Sequence, residues 1–143
     1  MPRVSAIHWV LPLVATAAGV AGIVAAWVAV GALTRSSSSW LALVAAVDVA
    51  LMLHLTHAPP GRARSVLATL ATLVAVALAQ WLLAATRMGA LVGIEPLASA
   101  ARLGPALGWQ VVQLGLDRVD WVLLLSSLPL AAILVEPDRP VVA

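Results

Sequence analysis

The sequence has no cysteine, lysine, phenylalanine, tyrosine or asparagine, and only 10% of its 143 residues are charged. Without cysteine there are no disulfide bonds, thiolate metal ligands or cysteine nucleophiles. An average soluble domain is about 25% charged, so the low charge excludes a soluble enzyme and a disordered chain. The eight basic residues are all arginine and are scattered, which excludes a nucleic-acid-binding patch. Lysine, phenylalanine, tyrosine and asparagine have AT-rich codons, so their absence predicts a GC-rich bacterial genome.

Hydrophobic residues make up 63% of the chain, and its mean hydropathy is +1.07. One small core cannot bury that much apolar surface, so lipid must be the solvent for most of the chain. Lipid requires each spanning segment to be a helix or part of a closed barrel, and the long apolar runs lack the alternation of strands. We therefore predict an all-α, polytopic integral membrane protein in which residues 1–143 form a single transmembrane domain.

Four apolar stretches are long enough to be predicted as transmembrane helices, and they cover residues 7–33, 40–57, 65–86 and 119–135. A polar tract from Thr34 ends the first stretch, a proline–glycine turn at residues 59–61 follows the second, and Arg87 ends the third. The short first and second connections make neighbouring helices antiparallel.

Residues 95–118 are too polar and too interrupted to span a bilayer, but too apolar for a free loop. Gln110, Gln113 and Asp117 recur at helical spacing and share one face. This pattern predicts an amphipathic interfacial segment between the third and fourth helices, with a re-entrant hairpin as the alternative.

Tryptophan and arginine positions indicate how the chain sits in the bilayer. We call the end with both termini and the 58–64 turn side A, and the opposite end side B. Most tryptophans fall toward side B, as expected for residues that prefer a membrane interface. The arginines are evenly divided, but Arg62 and Arg64 share one short loop on side A. The positive-inside rule then predicts a bacterial plasma (inner) membrane protein with cytoplasmic N- and C-termini.

Asp48 lies midway along the second predicted helix, where an unpaired carboxylate costs several kcal/mol. We expect it to face protein and to form an intramembrane polar site with Thr72 and Gln80 of the third helix. Such a site either carries protons or cations or bonds helices together.

Three histidines, His8, His54 and His57, all fall on side A in the four-helix arrangement, near Glu136 and Asp138. Imidazole and carboxylate groups at one level are candidate metal or haem ligands. The small residue Ala50, four positions before His54, leaves room for a flat macrocycle beside the helix. The alternative is that these histidines simply lie at the headgroup level.

Small residues at a spacing of four predict close helix–helix contacts. On the first helix they include Gly19, Gly22 and Ala26, and on the third they include Ala75 and Ala79. Faces of this kind predict association with another copy or with other membrane protein subunits.

No catalytic motif is visible, since the chain has neither a glycine-rich phosphate loop nor an HExxH sequence. The main hypothesis is therefore a non-catalytic subunit or accessory protein of a larger membrane complex, without a cofactor. One alternative is a homo-oligomeric channel or transporter for protons or small solutes that uses Asp48. The other is a haem- or pigment-holding membrane anchor that uses His54 and His8.

Overall fold

The computed structural model describes residues 7–136, and within that range every regular element is an α-helix. The helices are α1 (Ile7–Thr34), α2 (Leu41–Leu55), α3 (Arg62–Val92), α4 (Pro96–Arg102), α5 (Pro105–Gly115) and α6 (Arg118–Val135). The all-α prediction is confirmed.

Three of these helices, α1, α3 and α6, are long and apolar enough to cross a membrane. Helix α2 is apolar but has only 15 residues, or about 22 Å of helix against a hydrocarbon core of about 30 Å. The second predicted span, residues 40–57, is therefore not confirmed as a transmembrane helix. Residues 95–118 form α4 and α5 and the turn between them, and their predicted interfacial position also stays a prediction.

Helix α3 continues past Arg87, where the sequence suggested an end, and stops at Val92. The stop is a glycine cap: Gly93 adopts a left-handed conformation with φ of 70°. The backbone N–H of Ile94 then donates to the Gly89 carbonyl at 2.9 Å, which satisfies one of the last carbonyls of the helix. A single arginine therefore does not end the helix, because a charged side chain leaves the backbone ladder intact.

Helix α3 is the centre of the bundle and contacts each of the other five described helices. Helix α2 packs on α1, α3 and α6, whereas α1 and α6 have no contact with each other within the described residues. The α2–α3 pair therefore forms the middle of the bundle, with α1 and α6 on opposite sides of it. Among the described helices, the backbones of α4 and α5 come close only to that of α3, and a side chain of α5 also meets α6, where the rings of Trp109 and Trp121 are in contact.

The core of the bundle is built largely from alanine, which lets the helix backbones approach closely. Seven alanines on α2 and α3 have no exposed surface: Ala42, Ala45, Ala46, Ala68, Ala75, Ala79 and Ala85. The largest buried side chain is Trp27 of α1, whose indole N–H donates to the Ser37 carbonyl at 3.0 Å. This bond fixes the turn between α1 and α2 against the end of α1.

The α1–α2 turn is also joined to the start of α6. The Ser37 hydroxyl donates to a carboxylate oxygen of Asp120 at 2.9 Å, and the other oxygen of Asp120 accepts from the Asp117 backbone N–H at 3.0 Å. The latter bond belongs to a capping box that satisfies free backbone donors at the helix start. The α1–α2 turn and the start of α6 therefore lie at one end of the bundle, as side B requires.

Candidate functional site

Asp48 lies on α2 and faces α1. Its Oδ2 atom is buried and has no hydrogen-bond partner within the described residues. A Cβ atom added to Gly19 would lie 2.9 Å from this oxygen and 2.9 Å from Cγ of Met52. Gly19 therefore provides the space that the carboxylate occupies, and Asp48 faces protein, which is the direction that the sequence predicts for a carboxylate inside a bilayer.

The other two members of the predicted polar site lie on α3. Thr72 is fully buried, and neither its hydroxyl nor Nε2 of Gln80 has a hydrogen-bond partner within the described part of the chain. Eight residues separate Thr72 from Gln80, which corresponds to about 12 Å of rise and a rotation of about 80°. The structure thus separates these groups and does not join Asp48, Thr72 and Gln80 in one hydrogen-bonded cluster.

Arg64 is a buried cation, whereas its sequence context indicated only a loop charge on side A. It lies in the first turn of α3 and is 8% exposed, and its Nε and Nη2 atoms have no partner among the described residues. The sequence signal available for Arg64 was its position eight residues before Thr72. Its burial depends on how α3 packs, which sequence periodicity alone does not give.

His8, His54 and His57 are all exposed, and the latter two make local hydrogen bonds. His54 donates from Nδ1 to the Ala50 carbonyl at 2.8 Å, and Nδ1 of His57 lies 3.2 Å from the Leu55 carbonyl. Within residues 7–136, no three His, Cys, Asp or Glu side chains form a group suited to a metal, and Asp138 lies outside that range. Ala50 is only 5% exposed, so protein fills the space beside it that a macrocycle would need. No feature of the described residues tests the haem or pigment site directly, so that site stays a prediction.

A cavity of about 400 Å³ lies between α3, α5 and α6 and is almost entirely apolar. Three tryptophans, Trp81, Trp109 and Trp121, line it. The rings of Trp109 and Trp121 meet edge to face, with centroids 6.0 Å apart. Aliphatic side chains such as Leu73 and Leu128 line the cavity further from side B. The volume lies within the usual range of small-molecule sites.

Among the residues that line this cavity, Gln80 carries the amide group, and its side chain is 7% exposed. Gln80 also lines a small neighbouring crevice together with Arg87 and Gly115. A Cβ atom on Gly115 would lie 3.0 Å from Nη1 of Arg87, so the guanidinium lies against the last residue of α5. A cation is favourable there because the C-terminal end of a helix carries partial negative charge.

The predicted interface residues divide into internal and exposed positions. Ala75 and Ala79 are fully buried inside the bundle, and Gly19 packs against α2. Gly22 and Ala26 are exposed, and a Cβ atom on Gly22 would meet nothing within 4 Å. We call Ala18, Gly22 and Ala26, which are all exposed and four residues apart, the outer face of α1.

No protein-family model, curated protein or solved structure matches this chain. The geometry of its own residues is therefore the basis for assigning a function.

Proposed function

We propose that this protein is a non-catalytic integral membrane subunit or accessory protein that binds a partner through the outer face of α1. The observation that carries the proposal is the exposure of Ala18, Gly22 and Ala26 on a long apolar helix. Small residues allow a second helix to approach closely, and transmembrane helices use such surfaces to associate. The partner is a transmembrane helix, either of another subunit or of a second copy.

The proposal includes four transmembrane helices, α1, α2, α3 and α6, with α4 and α5 at the side-B interface. Helix α2 is short, but it packs against the three long helices, which supports its place inside a membrane bundle. We propose a bacterial plasma membrane location with the termini and the α2–α3 turn in the cytoplasm. Arg62, exposed at the start of α3, supports this orientation, whereas the buried Arg64 contributes less than the sequence suggested.

Orientation can be tested because the chain has no cysteine, so each introduced cysteine is unique. Ser36 and Pro60 are exposed and lie in the two turns at opposite ends of the bundle. A membrane-impermeant maleimide should label Ser36→Cys in intact cells and Pro60→Cys only after lysis. The reverse pattern would invert the topology, and labelling of both sites in intact cells would contradict the four-helix arrangement.

The partner can be tested with a photoreactive benzophenone maleimide attached to Ala26→Cys in native membranes. We expect one discrete cross-linked protein, and mass spectrometry of that product will identify another subunit or a second copy. Val122→Cys is the matched control, because Val122 is 66% exposed on α6, away from α1.

Adding Gly22→Leu to the labelled chain should abolish the product, because leucine fills the space that the partner helix needs. The proposal fails if Ala26→Cys yields only lipid adducts, or the same products as Val122→Cys.

A second candidate function, a proton or cation carrier, is supported by the buried and unpartnered Oδ2 atom of Asp48. Asp48→Asn keeps the size of the side chain and removes its charge. In vesicles containing the purified protein and a pH-sensitive dye, the variant should lose proton flux while its oligomeric state stays unchanged. Equal flux in the variant and the wild type excludes this role for Asp48.

A further inference from the structure

We propose that the cavity between α3, α5 and α6 binds one acyl chain of a membrane phospholipid, with Gln80 donating to its ester carbonyl and Arg87 binding its phosphate. This inference rests on the proposed insertion of the bundle in a bilayer. It does not depend on which protein binds the outer face of α1.

The order of side chains along α3 follows the order of groups in a lipid leaflet. Aliphatic residues from Leu73 to Ala77 line the inner part of the cavity, followed by the Gln80 amide and the Trp81 indole. Arg87 comes about 10 Å further toward side B. A phospholipid presents its chain, ester carbonyl and phosphate in the same sequence, and indole rings prefer the depth of the carbonyl and headgroup layer.

Gln80 provides the polar recognition element of the cavity. Its Nε2 atom is buried and has no hydrogen-bond partner within residues 7–136. An unsatisfied donor of this kind is costly, so a ligand that brings an oxygen acceptor relieves the cost. Arg87 lines the adjoining crevice, and its guanidinium complements the negative charge of a phosphate.

Helix α5 closes the side-B end of the cavity because Gly108 allows it to lie directly on Trp81. A Cβ atom at Gly108 would lie 2.5 to 3.0 Å from three ring carbons of Trp81, so a larger residue would separate the helix from the ring. The contact between Gly108 and Trp81 therefore closes the cavity at its side-B end.

The outer groove between α1 and α3 serves as a comparison, because we assign it to ordinary contact with lipid. It has a similar volume, about 410 Å³, and is almost as apolar. Its polar residue, Thr16, already donates from its hydroxyl to the Pro12 carbonyl at 2.7 Å. This groove has no equivalent of Gln80, so we assign the specific lipid to the α3–α5–α6 cavity.

The test uses the full-length protein in detergent, with Trp9 and Trp40 replaced by phenylalanine, so that the three cavity indoles and the fully buried Trp27 are the remaining fluorophores. Phosphatidylglycerol brominated along its acyl chain is titrated in, since bromine quenches nearby tryptophan. We expect saturable quenching. A linear response without saturation would mean ordinary lipid solvation and would overturn the proposal.

Gln80→Leu should weaken binding of the brominated phosphatidylglycerol about three- to tenfold, the loss expected for one hydrogen bond. Gln113→Leu is the matched control, because Gln113 is an exposed glutamine on α5 outside the cavity. Equal affinity of the Gln80→Leu and Gln113→Leu variants for the lipid would show that Gln80 does not bind it.

Arg87→Gln distinguishes a phospholipid from other carbonyl-bearing lipids. It should weaken binding of the brominated phosphatidylglycerol about tenfold and leave binding of a brominated fatty-acid methyl ester unchanged, since the ester has no phosphate. Gln80→Leu should weaken binding of both probes. If a short-chain quinone displaces the brominated lipid and Arg87→Gln affects neither, the occupant is a quinone and the phospholipid assignment is wrong. Failure of this titration leaves the cross-linking and topology results standing, so the two proposals can fail separately.

Discussion

Two of the three glycines on α1, Gly19 and Gly22, make a matched pair that tests how this helix packs. Gly19→Ala and Gly22→Ala are the same substitution three residues apart in one helix, so both gain about 0.8–1.0 kcal/mol in helix propensity. Only the alanine at position 19 meets neighbours, at 2.9 Å from Oδ2 of Asp48 and Cγ of Met52. Overpacking of this kind costs about 1–3 kcal/mol. Because both variants gain the same helix propensity, this gain cancels in the difference between their free energies of unfolding.

We therefore expect Gly22→Ala to be neutral or stabilising and Gly19→Ala to be less stable than Gly22→Ala by about 1–3 kcal/mol. The assay is the free energy of unfolding from steric trapping in bicelles, at a protein concentration where the chain is monomeric. Equal shifts for the two variants would refute the packing of Asp48 against Gly19. Adding Asp48→Ala to Gly19→Ala should recover part of the loss, because it removes the atom that the new methyl group meets.

Two further predictions concern the side-B end of the bundle. Trp27→Phe loses the hydrogen bond to Ser37 and leaves a void, so unfolding free energy measured in the same assay should fall by about 1–3 kcal/mol. Trp40→Phe, at a 54% exposed position, should change it little, and equal effects would contradict the burial of Trp27. Asp120→Ala removes the bonds to Ser37 and Asp117, so amide exchange in the first turn of α6 should accelerate at least about fivefold, for a cap worth about 1 kcal/mol. Unchanged exchange would contradict the capping role.

The long helices could be predicted from hydropathy because polar segments bound them. The sequence predicted residues 7–33 and 119–135, and the structure has Ile7–Thr34 and Arg118–Val135. Helix α3 was harder, because Arg87 marks the end of an apolar run but not of the backbone hydrogen bonding. Gly93, whose left-handed conformation ends the helix, was the better indicator.

The inward direction of Asp48 could be predicted from sequence, because lipid is too costly for a carboxylate. The cavity could not be predicted, because it depends on α5 and α6 approaching α3 and on the contact between Gly108 and Trp81. Those residues are far apart in the chain, and nothing in the local pattern pairs them. The sequence likewise could not distinguish the buried Ala75 from the exposed Ala26, since both belong to equally alanine-rich helices.

The two proposed binding surfaces lie on opposite sides of the α2–α3 pair, since α1 and α6 do not touch within the described residues. Gln80→Leu changes a cavity bounded by α5 and α6, whereas Gly22→Leu changes the outer face of α1. Substitutions that are well separated and share no contacts usually act independently. Gln80→Leu should therefore leave the Ala26→Cys cross-link unchanged, and Gly22→Leu should leave lipid affinity unchanged. If Gln80→Leu alters the cross-link, or Gly22→Leu alters lipid affinity, then the central α2–α3 pair couples lipid binding in the cavity to partner binding at the outer face of α1.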